Sequence, residues 1–263
     1  MVHGLQLFSE FFAGYEEKYV LIGGAACDIW LSRAKLRPRT TKDLDIVLIL
    51  EALDASFIEK FWDFITKGGY KRSEVLSGKR QCYRFKNPTN FNFPIMLELF
   101  SRQPVLYTIG LPGSIIPITT DSSLSAISAI LLEDDTYDFI IRARRIYKGV
   151  SLVDYRALIP LKAAAYVDLK TRYECGGHID SEDIAKHKND ILKLSVLLSK
   201  AERVELPSRL LSRLIEFLSD IEKGKTDWNA IRKSILLAGT IDKNSIIDLI
   251  KSVYGILNPP AIR

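Results

Sequence analysis

Two aspartates lie one residue apart in the segment RTTKDLDIVL, residues 39–48. The rest of this run has the apolar composition of a buried strand, and residues two apart in a strand point to the same face. We therefore expect Asp43 and Asp45 to project side by side. Two such charges repel unless a cation lies between them, and Mg²⁺ prefers carboxylate oxygens. The pair predicts a divalent-cation site, with a solvent-facing strand end as the alternative.

Two glycines upstream lie where a strand would turn into a helix. The segment YVLIGGAACDIWLSR, residues 19–33, places Gly23 and Gly24 at that point. Glycine lets the backbone approach a ligand closely, and the first N–H groups of a helix can bind phosphate oxygens. The segment predicts a phosphate-binding turn, and the alternative is a tight turn that only packs the helix on the strand.

A third carboxylate occurs in the apolar run FPIMLELF, residues 93–100. A carboxylate such as Glu98 is costly in a buried strand unless it is paired or binds a metal. The alternative is an edge-strand glutamate that faces water. Together with Asp43 and Asp45, Glu98 predicts a three-carboxylate site of the kind that handles nucleotides.

The elements that would position these residues fall into two halves. Strand-like and helical runs alternate up to about residue 155, and helical periodicity dominates from residue 157 onward. The pattern predicts an α+β fold, in which a mixed sheet with flanking helices is followed by a C-terminal helical bundle. We place the two domains at residues 1–155 and 156–263.

Composition excludes several classes of protein. The chain has 263 residues, of which 47% are hydrophobic and 26% charged, as in folded soluble proteins. It lacks an apolar run long enough to span a membrane, so we expect no membrane partner and a cytoplasmic location. Three scattered cysteines and three dispersed histidines predict reduced thiols and no histidine-based zinc site.

Basic residues cluster directly before the aspartate pair. The formal net charge is +5, and five of the positive side chains lie between residues 33 and 42. Arg37 and Arg39 are candidates for contacts with an RNA backbone. The alternatives are contacts with a triphosphate alone and ordinary surface interactions.

These motifs together resemble the AbiEii/AbiGii-type nucleotidyltransferase family, which has a polymerase-β-like fold and includes toxins of bacterial toxin–antitoxin systems. The resemblance spans residues 19–195, including ALIPLKAAAYVDLKTR (157–172) and KHKNDILKL (186–194). It implies two Mg²⁺ ions on Asp43, Asp45 and Glu98 and a catalytic role for Lys162. The nucleotide-binding residues that it implies are Gly23, Gly24, Thr41, Lys42, Lys186 and Asp190. Many relatives have a second aspartate where this chain has His187.

The resemblance also implies an activity. It predicts transfer of a nucleoside monophosphate from a nucleoside triphosphate (NTP) to an acceptor hydroxyl, with the 3′ end of tRNA or another RNA as acceptor and an antitoxin protein as partner. One alternative is an enzyme that nucleotidylates proteins. A second alternative is a module that binds a nucleotide or a partner protein without catalysis.

Overall fold

The first part of the chain forms a mixed sheet. The structure is a computed structural model that describes residues 2–72, 83–102, 133–224, 228 and 242–256. The strands are β1 (Tyr19–Ile22), β2 (Asp43–Leu48), β3 (Lys71–Arg72), β4 (Tyr83–Lys86), β5 (Met96–Phe100), β6 (Arg144–Tyr147) and β7 (Val150–Val153). The described residues form one seven-stranded sheet in the order β3-β4-β5-β2-β1-β7-β6. Strand β2 pairs parallel with β5 and antiparallel with β1, so it lies in the middle of the sheet.

Helices alternate with the strands along the first part of the chain and make up its second half. Those bounded within the described residues are α1 (Leu5–Phe11), α2 (Gly23–Arg33), α3 (Ala55–Gly68), α4 (Asp134–Arg142), α5 (Tyr155–Glu174), α6 (Ser181–Ser195), α7 (Ser208–Lys223) and α8 (Lys243–Val253). Asp54 caps α3 by accepting a hydrogen bond from Phe57 N at 2.9 Å. Asp180 caps α6 by accepting a hydrogen bond from Glu182 N at 2.8 Å.

The charged side chains of the central strands lie on one face of the sheet, and helices α1 and α3 cover the other. Tyr19 of β1 packs edge-on against Phe8 of α1, with ring centroids 5.3 Å apart. Phe85 of β4 packs edge-on against Phe61 of α3, with ring centroids 5.7 Å apart. Helices α1 and α3 therefore cover the face that carries Tyr19 and Phe85. Because side chains alternate along a strand, the intervening residues of β2, β4 and β5 point to the opposite face.

The chain divides into two compact units. The first consists of Met1–Ile29 and Arg39–Asp154, and the second of Trp30–Pro38 and Tyr155–Arg263. The predicted boundary between residues 155 and 156 lies next to the end of the first unit. The sequence did not predict that residues 30–38 belong with the helical half.

The second unit is helical. Helix α5 packs against both α6 and α7. Tyr166 of α5 meets Phe217 of α7 edge-on, with ring centroids 5.1 Å apart. The apolar side chains that α6 and α7 turn inward, such as Leu192 and Leu214, are fully buried. Burial of these apolar stripes is what stabilises a bundle of amphipathic helices.

The predicted α+β fold is confirmed, with a mixed sheet and flanking helices followed by helices. The run IYKGVSLVD, residues 146–154, predicts a strand, and the structure has a hairpin of β6 and β7 there. The helical spacing of apolar residues from Leu124 to Leu131 and across residues 227–239 predicts two further helices. Both lie outside the described residues, apart from Trp228. Within the described ranges, no helix is both long and apolar enough to cross a membrane.

Candidate active site

The three predicted carboxylates lie on one face of the sheet. Parallel pairing of β2 with β5 places Asp45 beside Glu98, and Asp43 precedes Asp45 by two residues on the same face. Glu98 is only 2% exposed, so the alternative of a water-facing glutamate is wrong. The register of two central strands therefore brings together what the sequence separates by more than fifty residues.

Glu98 has a basic partner that the sequence did not predict. Antiparallel pairing of β4 with β5 sets Arg84 opposite Glu98, and Arg84 Nη2 forms an ion pair with Glu98 Oε1. A buried carboxylate needs such a partner, because desolvation penalises an isolated charge. The signal was present in YRFK, residues 83–86, where strand alternation puts Arg84 and Lys86 on the face opposite Phe85.

Gly23 makes room for Asp45. Ile22 is the strand partner of Asp45, so Gly23 at the end of β1 comes next to that carboxylate. Its φ of +63° lies in the left-handed region, and a Cβ at this position would overlap Asp45 Oδ2. Both features favour glycine. The predicted turn from strand to helix is observed, and its first glycine lies directly against one of the aspartates.

Gly24 lies beneath two side chains from the segment before β2. A Cβ here would come within 2.7 Å of Thr41 Oγ1 and 2.9 Å of Arg39 Nη2. Thr41 is 7% exposed, which fits a side chain packed onto the backbone of the turn. The start of α2 is therefore bordered by a hydroxyl and a guanidinium group, both of them suitable phosphate contacts.

Gly23→Ala should destabilise the protein more than an alanine at another left-handed glycine. Gly149, in the β6–β7 turn, is the matched control: its φ is +73°, and no atom of the described residues lies within 4 Å of where the alanine Cβ would be. We expect Gly149→Ala to cost about 1 kcal/mol from backbone conformation alone. Gly23→Ala should cost more, because it also displaces Asp45. Equal losses in urea denaturation would contradict the contact with Asp45.

Asp43 lies where burial disfavours the charged form of its carboxyl group. Burial raises the pKa of its carboxyl above the ordinary value, and the neighbouring charge of Glu98 raises it further. Arg39, Arg84 and Lys86 act in the opposite direction without cancelling the effect. The carboxylate form of Asp43 is therefore disfavoured here, and an added cation would favour it.

Asp43 should make stability depend on pH. Its pKa is higher in the folded protein than its ordinary value of 3.8, so the folded state binds this proton more tightly than the unfolded state. Stability from this group is present below pH 3.8 and is lost as the pH rises through the folded-state pKa. We expect Asp43→Asn to raise the melting temperature at neutral pH and to change it little below pH 3.8.

The control for that experiment is Asp63→Asn, which removes an exposed carboxylate paired with Lys67 at 2.7 Å on α3. Such a surface pair contributes little to stability. If Asp43→Asn and the wild type have the same melting temperature at every pH, the raised pKa of Asp43 is contradicted.

The carboxylates fit a divalent cation in part. Asp43 and Asp45 offer adjacent hard oxygen ligands, and a cation would favour the carboxylate form of Asp43, which burial and the charge of Glu98 disfavour. The carboxylate of Glu98 is held by Arg84 instead. Accordingly, no group of three or more His, Cys, Asp or Glu side chains in the described ranges is placed to hold a metal ion. Asp43 and Asp45 are thus the residues with the chemistry to hold a metal ion, and the ligand role of Glu98 stays a prediction.

The predicted residues of the helical half belong to two separate ion pairs. Lys162 of α5 and Asp190 of α6 form an ion pair at 2.7 Å, and each side chain is 1% exposed. Lys186 instead pairs with Asp183 at 2.7 Å on the surface of α6. The four-residue spacing of Lys186 and Asp190 in the sequence also allows an exposed ion pair on one helix face. That alternative is wrong, because Asp190 is buried against another helix.

The two arginines proposed for RNA contacts belong to different units. Arg39 lies over Gly24 in the first unit. Arg37 is exposed in the second, where its carbonyl accepts a hydrogen bond from Lys193 Nζ at 3.3 Å. Lys42 is exposed directly before β2, and its carbonyl accepts a hydrogen bond from Ile95 N at 3.1 Å.

No protein-family model matches this chain, and no curated protein sequence matches it significantly. The solved structures that are similar to it include two proteins of Helicobacter pylori. JHP933 from Helicobacter pylori matches with a TM-score of 0.39 and 13% identity, over 97% of this chain and 88% of the other. A proposed nucleotidyltransferase from H. pylori matches with a TM-score of 0.33 and 13% identity, over 96% and 91%. The AbiEii/AbiGii family is not specifically supported, so the function proposed below depends on the geometry of the site.

Proposed function

We propose that this chain is a Mg²⁺-dependent nucleotidyltransferase, which moves a nucleoside monophosphate from an NTP to an acceptor hydroxyl and releases pyrophosphate. The main support is the placement of Asp43 and Asp45 on one face of β2, with Asp45 directly against the glycine turn that begins α2. A site that binds both a divalent cation and phosphate needs these two features side by side.

The chain's own residues divide the work of binding. Asp43 and Asp45 would hold Mg²⁺, which would act as a Lewis acid and offset the negative charge of the reacting phosphate. The backbone at Gly23 and Gly24, with Arg39 and Thr41 over it, would bind phosphate oxygens. The second ion implied by the resemblance would need Glu98, which Arg84 already holds.

The acceptor that we propose is an RNA 3′ end such as that of tRNA. The support is the positive charge between residues 33 and 42, which includes the exposed Arg37. Contacts with RNA phosphates are electrostatic and depend on salt, so positively charged side chains such as that of Arg37 would contribute to binding. Transfer to a protein hydroxyl would show that the acceptor is a protein. Nucleotide binding without transfer would show that there is no acceptor.

The decisive experiment is to incubate the purified protein with each α-labelled NTP in turn, Mg²⁺ and total tRNA. We expect label in tRNA from one or a few of the NTPs, and none after chelation of the metal. Label in the protein fraction would identify protein nucleotidylation. Nucleotide binding without transfer to any macromolecule would indicate a binding module.

We further propose that the chain is the toxin of a toxin–antitoxin or phage-defence pair that acts in the cytoplasm. The support is the resemblance of residues 19–195 to the AbiEii/AbiGii family. Expression of the wild type should arrest bacterial growth, and expression of Asp45→Asn should not. Equal growth of the two strains would remove the toxin role without affecting the proposed chemistry.

A further inference from the structure

Four charged side chains of the candidate site lie on β4 and β2, the two strands that flank β5. Arg84 of β4 lies opposite Glu98 of β5, which lies beside Asp45 of β2. One step along the same face, Lys86 of β4 lies opposite Met96, the strand partner of Asp43. Two cations on β4 therefore face two aspartates on β2, with β5 between them.

The distance between the cations of β4 and the aspartates of β2 suits a charged ligand that reaches from one strand to the other. Neighbouring strands lie about 5 Å apart, so residues two strands apart are separated by about 10 Å. A triphosphate is of comparable length. Its oxygens can contact a cation held by the aspartates at one end and basic side chains at the other.

The ion pair with Glu98 fixes the guanidinium of Arg84. The Arg84 side chain is 15% exposed and that of Glu98 is 3% exposed, so the pair is largely withdrawn from water. A guanidinium has five N–H donors, and a single carboxylate uses only some of them. The remaining donors are held in one orientation, which reduces the entropy that phosphate binding costs.

We propose that Arg84 and Lys86 bind the triphosphate of the nucleotide, and that Glu98 is a positioning residue for Arg84 rather than a metal ligand. This inference rests on the proposed function, because it assigns further residues to the same site. It differs from the role that the family resemblance implies for Glu98. It also explains why Arg84 is buried beside the carboxylates, where a purely structural strand would place an apolar residue.

Metal binding tests the role of Glu98 without any turnover. We would titrate Mn²⁺ into the wild type, Asp45→Asn and Glu98→Gln, and follow free Mn²⁺ by electron paramagnetic resonance. Asp45→Asn should weaken Mn²⁺ binding by about tenfold or more, because it removes a direct ligand. Glu98→Gln should change it by less than about threefold, since it alters only a neighbouring charge. Equal losses in the two variants would show that Glu98 binds the metal and would overturn the inference.

Nucleotide binding tests the role of Arg84. Arg84→Gln alone would leave Glu98 buried without its partner and could unfold the protein. The comparison is therefore between Glu98→Gln and the double variant Arg84→Gln/Glu98→Gln, both of which avoid that unpaired charge. With a fluorescent, non-hydrolysable NTP analogue, the double variant should bind about tenfold more weakly than Glu98→Gln. The two should bind a nucleoside monophosphate equally, because it lacks the outer phosphates.

The control is Arg145→Gln. Arg145 lies on the edge strand β6, four strands from β5, and forms an ion pair with Asp154. This variant should bind the analogue as the wild type does. Equal affinity of Glu98→Gln and the double variant, in a protein that binds NTP, would overturn the role of Arg84 while leaving the proposed function intact. A wild type that binds no NTP would overturn both.

Discussion

Asp45→Asn should abolish nucleotidyl transfer and leave the protein folded. The substitution keeps the size of the side chain beside Gly23 but removes one of the two carboxylates proposed to hold Mg²⁺. A metal ion supplies several kcal/mol of charge stabilisation in the transition state, so we expect the rate to fall on the order of 10³-fold. The melting temperature should stay the same or rise slightly, because removal of one carboxylate relieves repulsion in the metal-free site.

The measurement is the initial rate of label transfer at saturating Mg²⁺, with melting curves recorded on the same preparations. Asp63→Asn, which removes an exposed carboxylate in the same unit, should transfer label at the wild-type rate. Transfer by Asp45→Asn at more than a tenth of the wild-type rate would show that Asp45 is not a metal ligand.

Lys162→Ala should strongly destabilise the helical unit. The substitution leaves the carboxylate of Asp190, 1% exposed, without the ammonium that lies 2.7 Å away. Removal of one partner of a buried ion pair costs about 3–5 kcal/mol. The free energy of unfolding from urea denaturation should fall by about that amount. The sequence predicted a catalytic role for Lys162, and the buried pair favours a structural one.

A double variant separates these two roles. Lys162→Met/Asp190→Leu replaces both charges with apolar side chains, so it should recover most of the lost stability. If the pair is structural, the double variant should also transfer label at close to the wild-type rate. A stable double variant with a severely reduced rate would return Lys162 or Asp190 to the chemistry.

Strands were predictable from the sequence where alternation or continuous apolar character was strong. The runs YVLI and DLDIVLI predicted β1 and β2 within one residue of their observed ends. Both are central strands, so burial leaves a clear pattern in their composition. The placement of Trp30–Pro38 with the second unit could not be predicted, because nothing in the local sequence distinguishes the two ends of α2.

Site residues were predictable where neighbours along the chain also share a face. Asp43 and Asp45 follow from strand periodicity, and Gly23 follows from its position between strand and helix. The partners of Glu98 and Lys162 did not follow, because the first depends on the register of β4 with β5 and the second joins two helices across 28 residues. Pairing between distant elements is set by packing, which one sequence alone does not specify.

The position of the transferred label tests the central claim most directly. Wild-type protein, Mg²⁺ and an acceptor RNA would be incubated in parallel with an NTP labelled at the α-phosphate and the same NTP labelled at the γ-phosphate. Nucleotidyl transfer predicts that the α-label enters the RNA and that the γ-label is released as pyrophosphate, and that Asp45→Asn does neither. Transfer of the γ-label to the acceptor, or no transfer of either label to any macromolecule, would contradict it.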